Sequence, residues 1–151
     1  MKSFKELQYI TELFDNPAPF SKQEKGRTMG GNYLLVYTAK INGHELKLNE
    51  EIQDFGNHDH EIDFAVDGNF DITNESEDYI KIFSTVVAMI EDIIKDYDKP
   101  YINFTGKSED GSRNSLYTKM TRIMARKHGY DVDIRPDPVH KGYTLYELDP
   151  K

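Results

Sequence analysis

The chain contains no cysteine, so it can form neither a disulfide framework nor a zinc site with thiolate ligands. No apolar run reaches the roughly eighteen residues of a membrane-spanning helix, and the N-terminal MKSFKELQYITE lacks the apolar core of a signal peptide. Positive charge is also scarce, because 19 lysines and arginines stand against 27 aspartates and glutamates, giving a net charge of −8. We therefore expect a soluble intracellular protein with no membrane partner, and the negative charge disfavours nucleic acid as a partner.

The most regular part of the chain runs from Tyr79 to Val132. Its first segment, YIKIFSTVVAMIEDIIKDY, has apolar residues every three or four positions, in a stripe as wide as that of a helix lying on a sheet. Pro100 then stops this helix, because the residue before a proline avoids the helical conformation. YINFTG has the length of a strand, SRNSLYTKMTRIMARKHGY repeats the helical pattern, and DVDI follows. The pattern predicts a helix, a strand, a helix and a strand.

Antiparallel hairpins are predicted before this region. Asn42-Gly43 is a hairpin turn signal between NYLLVYTAKI and HELKLNEEI, and Asp67-Gly68 follows HEIDFAV. We expect one α+β domain over residues 32–148, with a mixed, mainly antiparallel sheet and two helices that cover its faces. The predicted order is β-β-β-β-α-β-α-β-β, with strands over residues 32–41, 44–52, 60–66 and 69–73 before the first helix and over 143–148 at the end. Before it lie an arm of residues 1–20, with an amphipathic helix over 1–13, and a polar loop over 21–31.

Charge is unevenly distributed along the chain. Between Glu45 and Asp78 there are twelve acidic residues and one lysine, whereas between Arg113 and Lys127 there are five basic residues and no acidic one. Carboxylates displayed on hairpins could bind a basic host protein as a mimic of DNA phosphates, and a solubilising surface is the simpler alternative. The residues that would carry such interactions are Glu61, Asp63 and Asp71 on the hairpins and Arg113, Lys119, Arg122 and Arg126 on the second helix.

The second helix has alternatives of its own. Lys119, Arg122 and Arg126 recur at helical spacing and could contact phosphate or an acidic partner. Basic residues late in a helix also suit its negative end and extend over apolar neighbours, which makes a solvated face the simpler interpretation. Arg113 lies in the first turn, where a cation is unfavourable, so we expect a carboxylate to pair with it.

Histidines raise the possibility of a metal site. On a strand, His58 and His60 would lie on the same side and within reach of one ion. No spacing in the sequence demands a third ligand, and in so acidic a chain we favour a solvated turn and expect no metal. The five histidines also form no pattern with a nucleophile that would indicate a hydrolase.

The succession of elements resembles the GNAT acetyltransferase superfamily. The likeness is carried by residues 101–132, in which Leu116-Tyr117 lies on a helix and Gly129-Tyr130 precedes the next strand. The resemblance implies acetyl-CoA as cofactor, with Tyr117 as the acid that protonates the departing thiolate and with Asn74 and Ser76 in the turn that holds the pyrophosphate. That turn departs from the family pattern, because TNESED has no glycine and three carboxylates that would repel a polyanion.

A second resemblance is to proteins of tailed bacteriophages. It rests on FAVDGNFDITN, on IFSTV in the first helix and on SRNSLY. The N-terminus is also similar to the capsid-targeting leader of phage internal proteins, in which a protease cuts after a motif that Ile10-Thr11-Glu12 matches; a plain amphipathic helix is the alternative. We predict a non-enzymatic phage accessory protein of the host cytoplasm or virion, without cofactor. It would bind another protein, as a virion component or as a modulator of a host factor; an acetyl-CoA-dependent N-acyltransferase is the alternative.

Overall fold

The computed structural model describes residues 16–53, 59–67, 77–107 and 111–150, and within these ranges it excludes the side chains of residues 77–79, 106–107 and 111–116. The elements are β1 (Phe20–Arg27), β2 (Tyr33–Ile41), β3 (His44–Ile52), β4 (His60–Val66), α1 (Glu77–Asp96), β5 (Ile102–Lys107), α2 (Gly111–His128), β6 (Tyr130–Pro136) and β7 (Tyr143–Pro150). The strands form one sheet in the order β1-β2-β3-β4-β5-β7-β6, and only β4 and β5 are parallel neighbours. The predicted α+β class, with a mixed and mainly antiparallel sheet and two helices, is confirmed.

The hairpin between β2 and β3 has the predicted turn. Asn42 and Gly43 both have positive φ angles, 49° and 84°, as a type I′ turn requires. The turn pairs Ile41 with His44, and the pairing continues without a shift to Tyr33 and Ile52. This register sends alternate residues of both strands to opposite faces of the sheet.

Both helices pack on one face of the sheet, which we call the inner face. Phe64 of β4 shows this directly, because its ring packs edge-on against Phe83 of α1 at 5.9 Å and against Tyr117 of α2 at 5.7 Å. The prediction that the helices cover the two faces is therefore wrong. Both helices are crossovers between parallel strands, β4 to β5 and β5 to β6, that advance in the same direction along the sheet. Crossovers of one hand that advance in one direction place their helices on the same face.

The first strand was also mispredicted. Residues 21–31 were expected to form a loop, but Phe20–Arg27 pairs antiparallel with β2, with one bulge between Glu24 and Gly26. The strand is polar because it lies at the edge of the sheet, where exposed and charged side chains are common, and its composition therefore resembled that of a loop. The sheet thus extends N-terminal to residue 32. The predicted helix over 1–13 and the predicted strand over 69–73 lie outside the described residues.

The helices end where the sequence indicated. The first ends at Asp96, just before Asp98 and Lys99, which have positive φ angles. The second ends at His128, and Gly129 follows it with a φ angle of 72° and an N–H that donates to the carbonyl oxygen of Ala125 at 2.8 Å. Within the described residues, neither helix is long and apolar enough to span a membrane.

Candidate acidic binding cleft

The face of the sheet opposite the helices, the outer face, carries closely spaced carboxylates. Because side chains alternate along a strand, β3 directs Asn49 and Glu51 outward while its neighbours Leu48 and Glu50 point inward. The strand β4 does the same with Glu61 and Asp63. The register places Glu51 directly opposite Glu61 and Asn49 directly opposite Asp63.

A cleft opens on this face where β4 and β5 separate. These parallel strands pair at only two positions, His60 with Ile102 and Glu61 with Asn103. Beyond that point the strands leave a cleft of about 660 Å³, which extends between them to Ile62 and Phe104. The loop between β6 and β7 forms the far wall. The lining includes the carboxylate-bearing Glu51, Glu61, Asp63 and Asp137, the polar Asn49, Asn103 and Thr105, and Tyr101, Val139, His140 and Tyr143.

Three of these carboxylates are held by neutral side-chain amides. The Nδ2 atom of Asn32 donates to Oε1 of Glu51 at 2.9 Å, and Nδ2 of Asn49 donates to Oδ1 of Asp63 at 3.0 Å. Glu61 accepts from Nε2 of Gln53, also at 3.0 Å. No lysine or arginine lines the cleft among the residues that the structure describes. The carboxylates are thus oriented without a neutralising cation among the described lining residues.

The charges of the cleft reinforce one another. Partial burial, followed by the nearby charges of Glu51 and Asp59, raises the pKa of Glu61 above its usual value. Like charges directly opposite each other across two strands destabilise a sheet. A cation that enters the cleft would remove this repulsion, so the arrangement is suited to binding a positively charged group.

The rim of the cleft is a tight loop built on Asp137. Its Oδ1 atom accepts from the N–H of Val139 at 2.9 Å and from the N–H of His140 at 3.2 Å. The Val139 hydrogen bond is the main reason why the pKa of Asp137 lies below its usual value. This loop leaves Val139 81% exposed and places His140 Nδ1 3.4 Å from Asp137 Oδ2. The rim therefore presents one apolar and one titratable side chain beside the carboxylates.

Directly behind the cleft, the inner face carries a buried acid–base pair. His60 Nδ1 lies 2.5 Å from Glu50 Oε2, and the two side chains are 1% and 0% exposed. The second oxygen, Glu50 Oε1, has no hydrogen-bond partner among the described residues. The expectation that His60 lies on a solvated turn is wrong, because it begins β4 and points inward. His58 lies outside the described residues, and within them no three histidine or acidic side chains could hold a metal ion.

The predicted interaction residues lie on two sides of the sheet. Glu61 and Asp63 are together in the cleft, whereas Lys119, Arg122 and Arg126 belong to α2, the helix packed on the inner face. The structure thus does not bring the described members of the acidic and basic sets together. Arg113 is in the first turn of α2, and its side chain is outside the description. Asp71, Asn74 and Ser76 also lie outside the described residues.

Tyr117 is a core residue. It is 3% exposed, and its ring centroid lies 5.2 Å from that of Phe104 and 5.4 Å from that of Tyr146. These rings lie on the helix side of the opening between β4 and β5. Its role as a catalytic acid stays a prediction.

Sequence reasoning missed the amides that orient the carboxylates. Asn49 and Gln53 follow the same two-residue period as Glu51, so the alternation of β3 already placed all three on one face. Asn32 and the rim residues Asp137 and His140 gave no such signal, because only the pairing of distant strands brings them to the cleft.

No family model, curated protein or solved structure matches this chain. The function must therefore be inferred from the chemistry of the cleft.

Proposed function

We propose that this protein acts by binding another protein, and that the acidic cleft is the binding surface. The observation that carries the proposal is the set of three carboxylates, on Glu51, Glu61 and Asp63. Amides hold them, and no lysine or arginine lines the cleft in the described part of the chain. Lysine and arginine are the protein groups that complement such a surface, and arginine binds carboxylates through two parallel hydrogen bonds. The partner therefore presents a basic segment.

The shape of the cleft supports an extended segment with long basic side chains. Its floor reaches the apolar side chains of Ile62 and Phe104, and Val139 is exposed at its rim. Lysine and arginine bury their aliphatic stems on apolar surface while their charged ends stay with polar groups. A stem packed near Val139 could place its charge between Glu51 and Glu61, where the repulsion of the empty cleft would be relieved.

The wider context of the proposal rests on resemblance. The order of elements resembles a GNAT-like scaffold, and the N-terminus and the VDG motif resemble proteins of tailed bacteriophages. On that basis the protein is a phage accessory protein of the host cytoplasm or virion, and its partner is a virion component or a host factor. The turn before α1 carries carboxylates where acyl-CoA would need glycines, which favours binding over acyl transfer.

The binding proposal is tested with a fluorescent arginine-rich peptide and two double variants of equal charge. In E51Q/E61Q the cleft loses two carboxylates, whereas E45Q/D98N removes two exposed carboxylates elsewhere. We expect the cleft variant to bind the peptide about tenfold more weakly or worse in fluorescence anisotropy, because each of the two lost carboxylates would lie close to a bound cation. The control should change the affinity less than about twofold, as distant exposed charges are screened. Equal losses in the two variants would refute a specific site in the cleft.

One observation favours a second function, an acetyl-CoA-dependent N-acyltransferase. The parallel strands β4 and β5 separate after two paired positions, and this leaves room at the centre of the sheet for an extended ligand. The test is a thermal-shift titration with acetyl-CoA, because a ligand of the native state raises the melting temperature by mass action. A saturable shift would support acyl transfer and direct attention to Tyr117→Phe. The absence of a shift at millimolar acetyl-CoA would exclude this function.

A further inference from the structure

The two edges of the sheet differ in how they meet solvent. At one edge, β1 carries Lys22 and Lys25 and has a bulge between Glu24 and Gly26. Lysines and bulges are features that prevent an edge from pairing with another strand. At the other edge, β6 has the sequence YDVDIRP, with no lysine, and its register with β7 has no shift. This second edge lacks the lysines and the bulge of the first.

The backbone of β6 has hydrogen-bonding groups at this edge. The N–H of Asp137 donates to the carbonyl oxygen of Tyr143 at 2.9 Å, and bonding alternates along an antiparallel pair. Asp131, Asp133 and Arg135 therefore bond to β7, while the N–H and C=O groups of Val132 and Ile134 point away from it. No strand pairs with that side of β6 in the described part of the chain. Ile134 is also 37% exposed, although its side chain is on the inner face.

We propose that β6 pairs antiparallel with β6 of a second copy of this chain, about a two-fold axis at Asp133. In this register Val132 of each copy lies opposite Ile134 of the other, and their edge-facing groups can form four hydrogen bonds. The inner face gains a continuous apolar contact between the two copies. The sheet becomes fourteen strands long in the dimer, twice the seven of one copy.

The charges of β6 are self-complementary in this register. On the outer face, Asp131 of each copy lies opposite Arg135 of the other. At the axis, Asp133 of one copy lies opposite Asp133 of the other. Within each copy, Arg135 already contacts the carboxylates of Asp133 and Glu147. A register centred on Ile134 is poorer, because it places Asp131 opposite Asp137. It also sets Val132 opposite Pro136, which has no N–H to donate.

This symmetry favours a second copy over a foreign strand as the occupant. A two-fold interface requires that one surface complements itself, with residue i facing j and j facing i. The sequence DVDIR satisfies this requirement with an acid–base pair and an apolar pair on opposite faces. A foreign strand would need to supply the same pattern in reverse.

The absence of cysteine allows a direct test by cross-linking in the full chain. At the axis, Asp133→Cys would face itself in a non-hydrogen-bonded pair with Cα atoms about 4.5 Å apart, within the range of a disulfide. Under mild oxidation this variant should form a covalent dimer as the major species. Asp131→Cys and Arg135→Cys should each stay uncross-linked, because equivalent positions are separated by about 13 Å along the strands. A mixture of these two variants should cross-link.

A second measurement tests the oligomeric state of the unmodified chain, into which no cysteine has been introduced. Sedimentation velocity over a range of concentrations should show a monomer–dimer equilibrium for the unmodified chain. Ile134→Lys adds a charge at the edge and should shift the equilibrium to monomer. Met29→Lys, in the exposed turn after β1 at the opposite edge of the sheet, should leave it unchanged. A monomer at every concentration would overturn the proposal. So would a dimer that resists Ile134→Lys, or cross-linking of Asp131→Cys alone that equals that of Asp133→Cys.

Discussion

The two faces of the sheet place the same side-chain types in opposite surroundings. Glu50 and Glu51 are neighbours in β3, yet Glu50 is fully buried beside His60 and Glu51 lies in the open cleft opposite Glu61. His60 and Glu61 are likewise neighbours in β4. On the inner face the buried Glu50 has a partner of the opposite type, whereas in the cleft Glu51 lies opposite a second acid.

The inner face contributes to folding stability, whereas the charges of the outer face do not. The inner face is filled with rings and aliphatic side chains, and its buried pair of Glu50 and His60 has no access to solvent. The outer face retains a repulsion that does nothing for folding, since like charges opposite each other destabilise a sheet. Such a surface indicates a binding site when it is also concave. A ligand of opposite charge that enters it relieves the repulsion, and this relief adds to the binding free energy. The following variants test the contrast from the largest expected effect to the smallest.

Removing the basic partner on the inner face should be the most damaging change. His60→Leu leaves Glu50 buried without the one side-chain partner that it has among the described residues. Breaking a buried pair from one side costs about 3–5 kcal/mol. Urea denaturation should show this loss in the free energy of unfolding. The double variant E50L/H60L should recover most of it, because apolar groups of similar size replace a buried pair at little cost. If the double variant is as unstable as the single one, the pair is not the cause.

The aromatic contacts of the inner face should give a smaller but clear effect. Phe64→Leu removes the two edge-on ring contacts with Phe83 and Tyr117, each worth about 0.5–1.5 kcal/mol beyond the area buried. We expect a loss of about 1–3 kcal/mol, measured by thermal and urea denaturation.

The matched control is the preceding residue, which points to the other face. Asp63→Asn keeps the size of the side chain, and surface changes of this kind alter stability by about 0.5 kcal/mol or less. Comparable losses in the two variants would contradict the assignment of Asp63 to a surface that contributes little to folding.

Much of the fold could be predicted from the sequence, because it depends on local patterns. The helical period of α1, the turn at Asn42-Gly43 and the strand after Pro100 each reflect interactions between near neighbours. The polar edge strand β1 could not be recognised, since its pairing with β2 leaves no apolar period. The face on which the helices lie follows from the direction of two crossovers, and strand order is not encoded in any short segment.

The cleft was predictable only in its charge. Glu61 and Asp63 stood out as acidic residues on a hairpin, and alternation placed them on one face. The separation of β4 from β5, the amide of Asn32 and the rim at Asp137 all depend on contacts between distant parts of the chain. The burial of His60 was missed for the same reason, because its partner Glu50 comes from the neighbouring strand.

The smallest expected effect concerns the outer face and depends on pH. Partial burial and the charges of Glu51 and Asp59 raise the pKa of Glu61, so the folded chain binds a proton there more readily than the unfolded chain. The associated stability is present below the ordinary pKa of a glutamate and is lost as pH rises through the raised value. Glu61→Gln should therefore be more stable than the unmodified chain at neutral pH, and the advantage should disappear in acid. We expect no more than about 0.5 kcal/mol, because solvent screens an exposed carboxylate.

Urea denaturation of the unmodified chain, Glu61→Gln and the control Glu45→Gln over this pH range would measure the effect. The same carboxylate should also link binding to pH. A cationic peptide binds the ionised form, so its affinity should rise as pH increases through the pKa of Glu61 and binding should release protons. Glu61→Gln should weaken this dependence while Glu45→Gln retains it. A peptide affinity independent of pH in the unmodified chain would mean that the cation does not approach Glu61, and the outer face would then be no more than a charged surface.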